Sequence, residues 1–575
     1  MKTKTKDEDE KRRRNRNRKS KIRKSKIENK KDENFKHQIT NLKLQRIMQT
    51  RRYPVGIQTF ERIIREGFLY VDKTDLVWKL AHYAPYMFLS RPRRFGKSLL
   101  TSTLESYFRG DKELFEGLKI MELEQEWKQY PVIRLDLSRA KGQNSAEALH
   151  DTLLWLMEPL AKIYGRSETE TDPGKLLTGI ITRAYEQTGR QVVVLIDEYD
   201  APLLEVLHEE ENLPQFRRVM QEFYVPLKAN EQYVKFCFIT GITKFSQLSI
   251  FSTLNNMLNV TMNPAFSAIC GITDRELSTV MADDIRQLAV ENECSAAEMH
   301  DKLRQRYDGY HFSEMSEGIY NPYSLLSAFR QERIANYWFD TGTPSYLIHQ
   351  MKRFNANVAD VEIKEVPASA FDQPTENMTT ALPLLYQSGY LTIKDYDKET
   401  FIYTLSLPNQ EVRSGYAEGL LPVYTGLESQ DVQVGFAMRF WRALKGHDID
   451  LAMREMQAYL AGVPYVEGFK QKLAEAANAE GFYEYTMYLI FSMLNVYVRT
   501  QVKVGKGRTD MVVWMPDTTY VFELKVSGTA QEALRQIDDR GYAIPYKTDG
   551  RRVVKVGVKM SVETRTVEDW KSEDI

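Results

Sequence analysis

Cysteine is scarce in this chain: three in 575 residues, Cys237, Cys270 and Cys294, far apart and without CxxC or Cys/His spacing. That excludes a disulfide framework and a zinc finger, and leaves buried thiols in a reducing cytoplasm as the expectation. The eight histidines form no cluster either, so any metal should be a hard cation held by carboxylates. No apolar run approaches the roughly 18 residues of a membrane span, so no membrane partner is expected. The start of the chain lacks an apolar signal core, which argues against export and for a cytoplasmic protein. Charge of either sign is not in excess: 79 Lys and Arg face 79 Asp and Glu.

That balance hides an asymmetry. Residues 1–50 hold 19 Lys and Arg against 7 Asp and Glu, an excess of 12 positive charges offset by 12 negative ones in the remainder. Lys11 to Lys31 carries almost no apolar residue and reads as a disordered basic tail. It could hold nucleic acid through phosphate contacts, or be a non-specific tail upstream of the true start. Met48, just before Tyr53-Pro54-Val55-Gly56-Ile57, is a sensible start codon. With 42% apolar residues the chain can build large cores, and its length suggests three or four domains at about 150 residues each.

One further absence is local. The apolar run Tyr86-Met87-Phe88-Leu89 leads into Ser90-Arg91-Pro92-Arg93-Arg94-Phe95-Gly96-Lys97-Ser98, then a helix-like stretch from Leu99. Strand, loop ending Gly-Lys-Ser, then helix is the context of a phosphate-binding loop. The helix start offers unpaired N–H groups and a positive dipole end. Gly96 lets backbone approach phosphate, Lys97 can reach the β- and γ-phosphates, and the Ser98 hydroxyl can hold Mg²⁺. The glycine expected five residues before Gly96 is missing; Arg91 stands there. A second motif compensates. Gln191-Val192-Val193-Val194-Leu195-Ile196 is a buried-strand run ending in Asp197 and Glu198. Asp197 can hold Mg²⁺ and Glu198 can orient or deprotonate the attacking water. Thr240 and Thr243, ending the run Tyr233–Gly241, could contact the γ-phosphate or be ordinary strand-end threonines. Lys244, Arg93 and Arg94 are nearby cations, and the sequence does not choose among them.

Strands alternating with helices imply a parallel α/β core. Phe60 to Glu66 reads as a helix, Phe68-Leu69-Tyr70-Val71 as a strand, and Asp72-Lys73-Thr74-Asp75 as a helix cap. Pro131 to Leu137 is a strand and 145–189 is helical. Residues 266–345 read as a small helical lid, whose aromatics Tyr307, Tyr310, Phe312, Tyr320 and Tyr323 suit a core better than a nucleotide stack. Residues 346–430 read as a connecting, winged-helix-like subdomain with strand-like runs Tyr390–Ile393 and Phe401–Leu405.

The C-terminal part carries a second chemistry. Arg508-Thr509-Asp510-Met511-Val512-Val513-Trp514 and Tyr520-Val521-Phe522-Glu523-Leu524-Lys525-Val526 form a hairpin around Pro516-Asp517-Thr518-Thr519. Glu523 and Lys525 are two apart and share one face, and the hairpin can bring Asp510 beside them. Two carboxylates and a lysine on one face suit a Mg²⁺ site with a cation for phosphate or water; the same residues also read as an exposed hairpin of alternating charge. Glu480 and Glu484 share a face of an upstream helix, and either could complete the metal shell. A downstream helix can place Gln536 near the site.

Tyr53–Ile57, Arg91–Ser98, Leu195–Asp200, Phe238–Ser246 and Tyr320–Ser324 together resemble the bacterial AAA-ATPase-like family, over roughly 52–345. In that family arginine commonly occupies the position of Arg91. Gly507–Asp510, Phe522–Lys525, Ala533–Ile537 and Gly541–Ala543 resemble the PD-(D/E)XK nuclease superfamily, over about 470–560. The resemblance implies metal-binding roles for Asp510 and Glu523 and a catalytic role for Lys525. Where that family often has a histidine this chain has Glu484, which favours Glu480 for the metal shell.

The expected fold is therefore α/β: a P-loop ATPase core with a parallel sheet, a helical lid and connector, and a C-terminal restriction-endonuclease-like α/β domain. The expected boundaries are a basic tail at 1–50, the P-loop domain at 51–265, the lid at 266–345, the connector at 346–430 and the nuclease-like domain at 431–575. ATP and Mg²⁺ are the expected cofactors. Arg94, Phe95, Gly96, Lys97, Ser98, Leu99, Asp197 and Thr240 are the expected nucleotide-binding set, with Glu198 catalytic. Ser98, Asp197, Asp510, Glu523 and Glu480 are the expected metal ligands; Asp510, Glu523 and Lys525 would cut a phosphodiester. Nucleic acid, DNA ahead of RNA, is the expected partner, and a homo-oligomer is compatible with the chain. The competing reading is a nucleotide-dependent switch whose nuclease-like domain is an inactive docking module.

Overall fold

The computed structural model describes residues 51–204, 206, 209, 211–243, 256–338, 351, 361, 364–373, 378–425, 430–462, 476–493, 497–504, 507–548 and 550–575. The N-terminal sheet contains β1 (Tyr86–Ser90), β2 (Val132–Asp136), β3 (Val192–Asp197), β4 (Val234–Gly241) and the short β5 (Leu258–Asn259), in the order β2-β3-β4-β1-β5. All its pairings are parallel. β1 and β3 are buried along their whole length, as the continuous apolar runs require of strands covered on both faces. One face packs Tyr86, Phe88, Val194, Ile196 and Ile239 against the helices Ala146–Tyr164, Pro173–Thr188 and Asn212–Ala229. The other packs Met87, Leu89, Leu195 and Phe238 against the helix Lys97–Arg109. Ser145 and Asp172 cap two of these helices by accepting from Ala148 N–H and Lys175 N–H.

The expected strand at Phe68–Val71 does not form. Arg52 bridges Phe68 alone, and a strand needs a ladder of backbone bonds; the segment runs instead into the helix Thr74–Ala81, whose Thr74 N–H and hydroxyl bond Asp72 Oδ1 at 2.9 and 2.7 Å.

A two-strand ladder, β6 (Ile272–Thr273) with β7 (Ile319–Tyr320), ties together the helices Asp274–Val280, Ala282–Glu291, Ala296–Tyr307 and Pro322–Gln331. Tyr307, Tyr310 and Tyr320 are fully buried, so these aromatics are core. Next, β8 (Lys364–Pro367), β9 (Thr392–Asp397) and β10 (Ile402–Ser406) form an antiparallel sheet ordered β8-β10-β9. Helices Gln410–Thr425, Gln430–Lys445, Ile449–Ala461 and Ala476–Met493 lead to β11 (Tyr497–Val504), β12 (Gly507–Trp514), β13 (Thr518–Lys525), β14 (Arg552–Met560) and β15 (Val567–Asp574), a mixed sheet in that order. Only β13 and β14 pair in parallel there, and the helix Ala530–Arg540 makes their crossover.

One apolar core runs from Leu89 and Phe238 through Leu384, Tyr390 and Leu405 to Val513, Phe522 and Val556. The two halves of the chain therefore share buried contacts. Cys237 and Cys270 are buried and all three thiols are free. Among the described residues no helix is long and apolar enough to cross a membrane.

Candidate nucleotide site and candidate nuclease centre

β4 lies between β1 and β3, so the loop after β1 and the carboxylates after β3 emerge at the same sheet edge. The loop turns on Gly96, whose φ of +89° is left-handed. A Cβ there would touch nothing within 4 Å, so the glycine is required by backbone conformation. The helix Lys97–Arg109 follows at once, its first N–H groups facing the loop. Lys97 Nζ donates to its own loop, to Arg91 O at 2.9 Å and Pro92 O at 3.0 Å. Burial lowers its pKa, and Asp197, Glu198 and Asp200 oppose that shift.

Arg91 is 1% exposed. Its guanidinium donates to Ser90 O at 2.9 Å, Thr261 O at 2.8 Å and Phe266 O at 3.0 Å, and lies 4.1 Å from the Phe312 ring centroid. Desolvation pulls its pKa down to about 10. In place of a glycine that would let phosphate in, this position carries a buried bracket between the loop and the segments behind it. Phe95 points the same way, packing edge-on against Tyr310 and Phe312 with centroids at 4.7 and 5.2 Å.

Asp197 is buried, bonded by Ser98, and its pKa is raised by desolvation. Glu198 has a left-handed φ of +49°, a strained conformation for a non-glycine residue. Its Oε2 accepts from Lys141 Nζ at 2.8 Å. Asp200, one turn on, is wholly buried. Its Oδ2 accepts from Ile242 N–H at 3.0 Å, Thr243 N–H at 2.7 Å and the Thr243 hydroxyl at 2.6 Å, latching the end of β4. A cavity of about 360 Å³ opens over the loop. Lys97, Ser98, Lys141 and Glu198 are polar residues of its wall, while Val55, Ile57, Pro322 and Leu326 are apolar ones. Arg94 lies 4.6 Å over the Tyr323 ring at the same wall.

At the other centre, β12 and β13 pair with Met511 opposite Phe522, which sets Asp510 beside Glu523. Asp510 Oδ2 accepts Leu524 N–H at 2.7 Å. Glu523 is 1% exposed; its Oε1 accepts from Lys525 Nζ at 3.1 Å and from the Gln536 amide. Its Oε2 has no hydrogen-bond partner among the described residues. Burial and then the Asp510 charge push the Glu523 pKa up to about 7, against Lys525. A buried, unmatched carboxylate oxygen next to a second carboxylate is the donor set a hard divalent cation satisfies. The Ser98 hydroxyl bonded to Asp197 is the corresponding pair in the first site. Among the described residues no three Asp, Glu, His or Cys side chains are grouped so as to hold a metal ion by themselves.

The helix Ala530–Arg540 lies close on this sheet: a Cβ at Gly557 of β14 would meet Ala530 O at 2.3 Å and Leu534 N at 2.8 Å. Glu523 meets this helix through Gln536, and Lys525, two residues on, shares its face and bonds Glu523. Phe522 faces the opposite side, where Phe491 of Ala476–Met493 packs at 5.7 Å between centroids.

Residues 54–251 match the family model described as predicted AAA-ATPase, and residues 478–570 match that of the PD-(D/E)XK nuclease superfamily. The chain is 32% identical over 530 residues to a protein of Azotobacter chroococcum mcd 1 described as "Uncharacterized protein in vnfD 5'region", an alignment covering 90% of this chain and 98% of that one. The chain belongs to the AAA-ATPase-like family. It carries a C-terminal PD-(D/E)XK nuclease superfamily domain.

In the AAA-ATPase-like part, the structure gathers Arg94, Gly96, Lys97, Ser98, Leu99 and Glu198 at one cavity wall, with Asp197 behind Ser98. Two expected contacts take other partners. The Phe95 ring is buried in the main apolar core against Tyr310 and Phe312, so only its backbone faces the loop. The Thr240 hydroxyl donates to Leu89 O at 2.7 Å, because the parallel register sets Thr240 beside Leu89 and the β1 carbonyl is the nearest acceptor. Lys244 lies outside the described residues. In the PD-(D/E)XK part, Asp510, Glu523 and Lys525 converge and Gln536 joins them. The Glu480 side chain lies outside the described residues; Glu484 on the same helix is buried. Sequence reasoning missed Lys141, which stands in no motif, and Asp200, whose burial no local pattern announces.

Proposed function

We propose that this AAA-ATPase-like protein hydrolyses ATP and is a metal-dependent nuclease whose C-terminal centre answers to the nucleotide state. The observation that carries the reading is how the phosphate loop is built into the rest of the chain. Arg91 stacks on Phe312. A Cβ at Gly389 would lie 2.6 Å from Pro92 Cβ. Trp338 Nε1 donates to Arg93 O at 3.4 Å. Tyr337 N–H and Trp338 N–H donate to the buried Glu411 at 2.6 and 2.9 Å, on the helix Gln410–Thr425. That helix packs along Ala476–Met493, whose Phe491 meets Phe522, next in sequence to Glu523.

Bound ATP would place its phosphates on the loop N–H groups and Lys97, with its base among Val55, Ile57, Pro322 and Leu326. Glu198 accepts a proton from water as the water attacks the γ-phosphorus. The bond to the bridging oxygen of the β-phosphate breaks, leaving ADP and phosphate. Ser98 and Asp197 would hold Mg²⁺, which neutralises developing phosphate charge. In the second centre Asp510 and Glu523 would hold a divalent ion that polarises a phosphodiester, and Lys525 orients the attacking water or steadies the phosphate. DNA is the first substrate to test.

The test is cleavage of plasmid, single-stranded DNA and RNA with Mg²⁺ or Mn²⁺, with and without ATP, in wild type, Lys97→Ala and Lys525→Ala. Cleavage lost in Lys525→Ala, and changed by ATP only while Lys97 is present, is expected. ATP turnover without cleavage of any substrate would sink the nuclease half and leave a nucleotide switch.

A further inference from the structure

Lys141 is a cation at the nucleotide cavity that no motif accounts for. It follows the turn Leu137–Ala140 at the end of β2. Its backbone is held there: Asp136 Oδ1 accepts Ser138 N–H at 3.0 Å, and the Gln143 amide donates to Lys141 O at 3.3 Å. Its side chain reaches the cavity wall and pairs with Glu198 Oε2 at 2.8 Å. Both side chains are partly exposed, at 36% and 28%. Such a pair is a weak restraint, easily exchanged for a stronger one.

We infer that Lys141 is a second γ-phosphate contact of this site beside Lys97, a cation supplied in cis that pairs with Glu198 when no γ-phosphate is bound. The inference rests on the ATP-hydrolysing reading and assigns one residue within it. Three observations carry it. First, Lys97 already spans its own loop to Arg91 O and Pro92 O, a position that suits the phosphates nearest the loop. Second, Lys141 enters from β2, on the flank of β3 away from the phosphate loop, yet its side chain lines the same cavity as Lys97, Ser98 and Glu198, so a phosphate held by the loop would lie between the two lysines. Third, the Glu198 backbone is held independently of Lys141, by a left-handed φ and by its N–H donating to Asp197 Oδ1 at 3.0 Å, so release of the ion pair leaves the side chain rooted at the cavity. A terminal phosphate brings more negative charge than one carboxylate. It therefore draws the ammonium away and leaves Glu198 free to take a proton from water. ADP lacks that phosphate and leaves the ion pair intact.

The experiment compares wild type with Lys141→Met, which keeps the apolar stem, and Lys141→Arg, which keeps the charge. ATP turnover is measured together with direct titration of ADP and of a non-hydrolysable ATP analogue. Lys141→Met is expected to turn over ATP at least about tenfold more slowly. It should lose most of its preference for the triphosphate while binding ADP as wild type does. Lys141→Arg should recover part of both. Equal weakening of ADP and triphosphate in Lys141→Met, or unchanged turnover and preference, overturns the inference while leaving the ATPase reading intact. Failure of the wild type to bind either nucleotide overturns the reading itself, and the inference with it.

Discussion

At the residue scale, two buried charges carry opposite consequences. Arg91 stands where a phosphate loop ordinarily has glycine, yet restoring glycine should not improve the site. Arg91→Gly removes the donor from Ser90 O, Thr261 O and Phe266 O and opens a hole beside Phe312. A loss on the order of 3 kcal/mol is expected, read as a fall in the thermal midpoint; a neutral or stabilising result would show that the bracket is dispensable. Glu523 poses a protonation problem. Its folded pKa of about 7 stands above the ordinary 4.5, so between those two values the metal-free protein holds a proton there that the unfolded chain would release. The stability linked to that proton is present at acid pH and lost as pH rises through about 7. A divalent ion needs the ionised form. Titration of Mn²⁺ in two buffers of different ionisation enthalpy should therefore reveal proton release at pH 6 (roughly one unit below the shifted value) that fades at higher pH and is absent in Glu523→Gln.

At the element scale, the PD-(D/E)XK centre depends on how closely one helix lies on its sheet. Ala530–Arg540 starts with a reciprocal cap, Thr529 accepting Glu532 N–H while Glu532 accepts Thr529 N–H. It buries Ala533, Leu534 and Ile537. Its backbone sits where any side chain at Gly557 would have to go. Gly557→Ala should therefore lift the helix, draw Gln536 away from Glu523 and cost about 2 kcal/mol. Unfolding by urea checks the stability and cleavage checks the site. A variant of unchanged stability and activity would mean that the helix shifts without disturbing Gln536.

At the scale of the whole molecule, the question is whether the two centres communicate. Shared burial alone shows only packing. The chain of contacts from Arg93 O through Trp338 to Glu411 and on to the nuclease sheet is a physical route, but coupling requires a differential effect. Glu411 is wholly buried, and desolvation raises its pKa against the two backbone N–H groups it accepts. Glu411→Ala orphans both N–H groups and should destabilise by about 1–3 kcal/mol. Glu411→Gln keeps an acceptor without the charge. In Trp338→Phe, ATP turnover and metal-dependent cleavage should each survive, while the effect of ATP on cleavage should shrink severalfold. Loss of both activities together would mark Trp338 as merely structural.

Much of this protein was legible as local pattern. Unbroken Val/Leu/Ile runs announced buried parallel strands, Gly96-Lys97-Ser98 announced the phosphate loop, and the two-residue spacing of Glu523 and Lys525 announced a shared face, because strand periodicity and glycine conformation act over a few residues. Phe68–Val71 misled for the same reason: β-propensity is local, but a strand needs a neighbour. What only the tertiary structure decided are the non-local partners. Strand order brought Asp197 beside Ser98, parallel register gave the Thr240 hydroxyl to Leu89, and chain return after β2 carried Lys141 to Glu198. Arg91 became a bracket because three carbonyls and a ring surround it, and Asp200 a latch because β4 ends beside it. Apart from Ser90 O next to Arg91, these are consequences of packing between segments far apart in the chain, and no short window of sequence contains both partners.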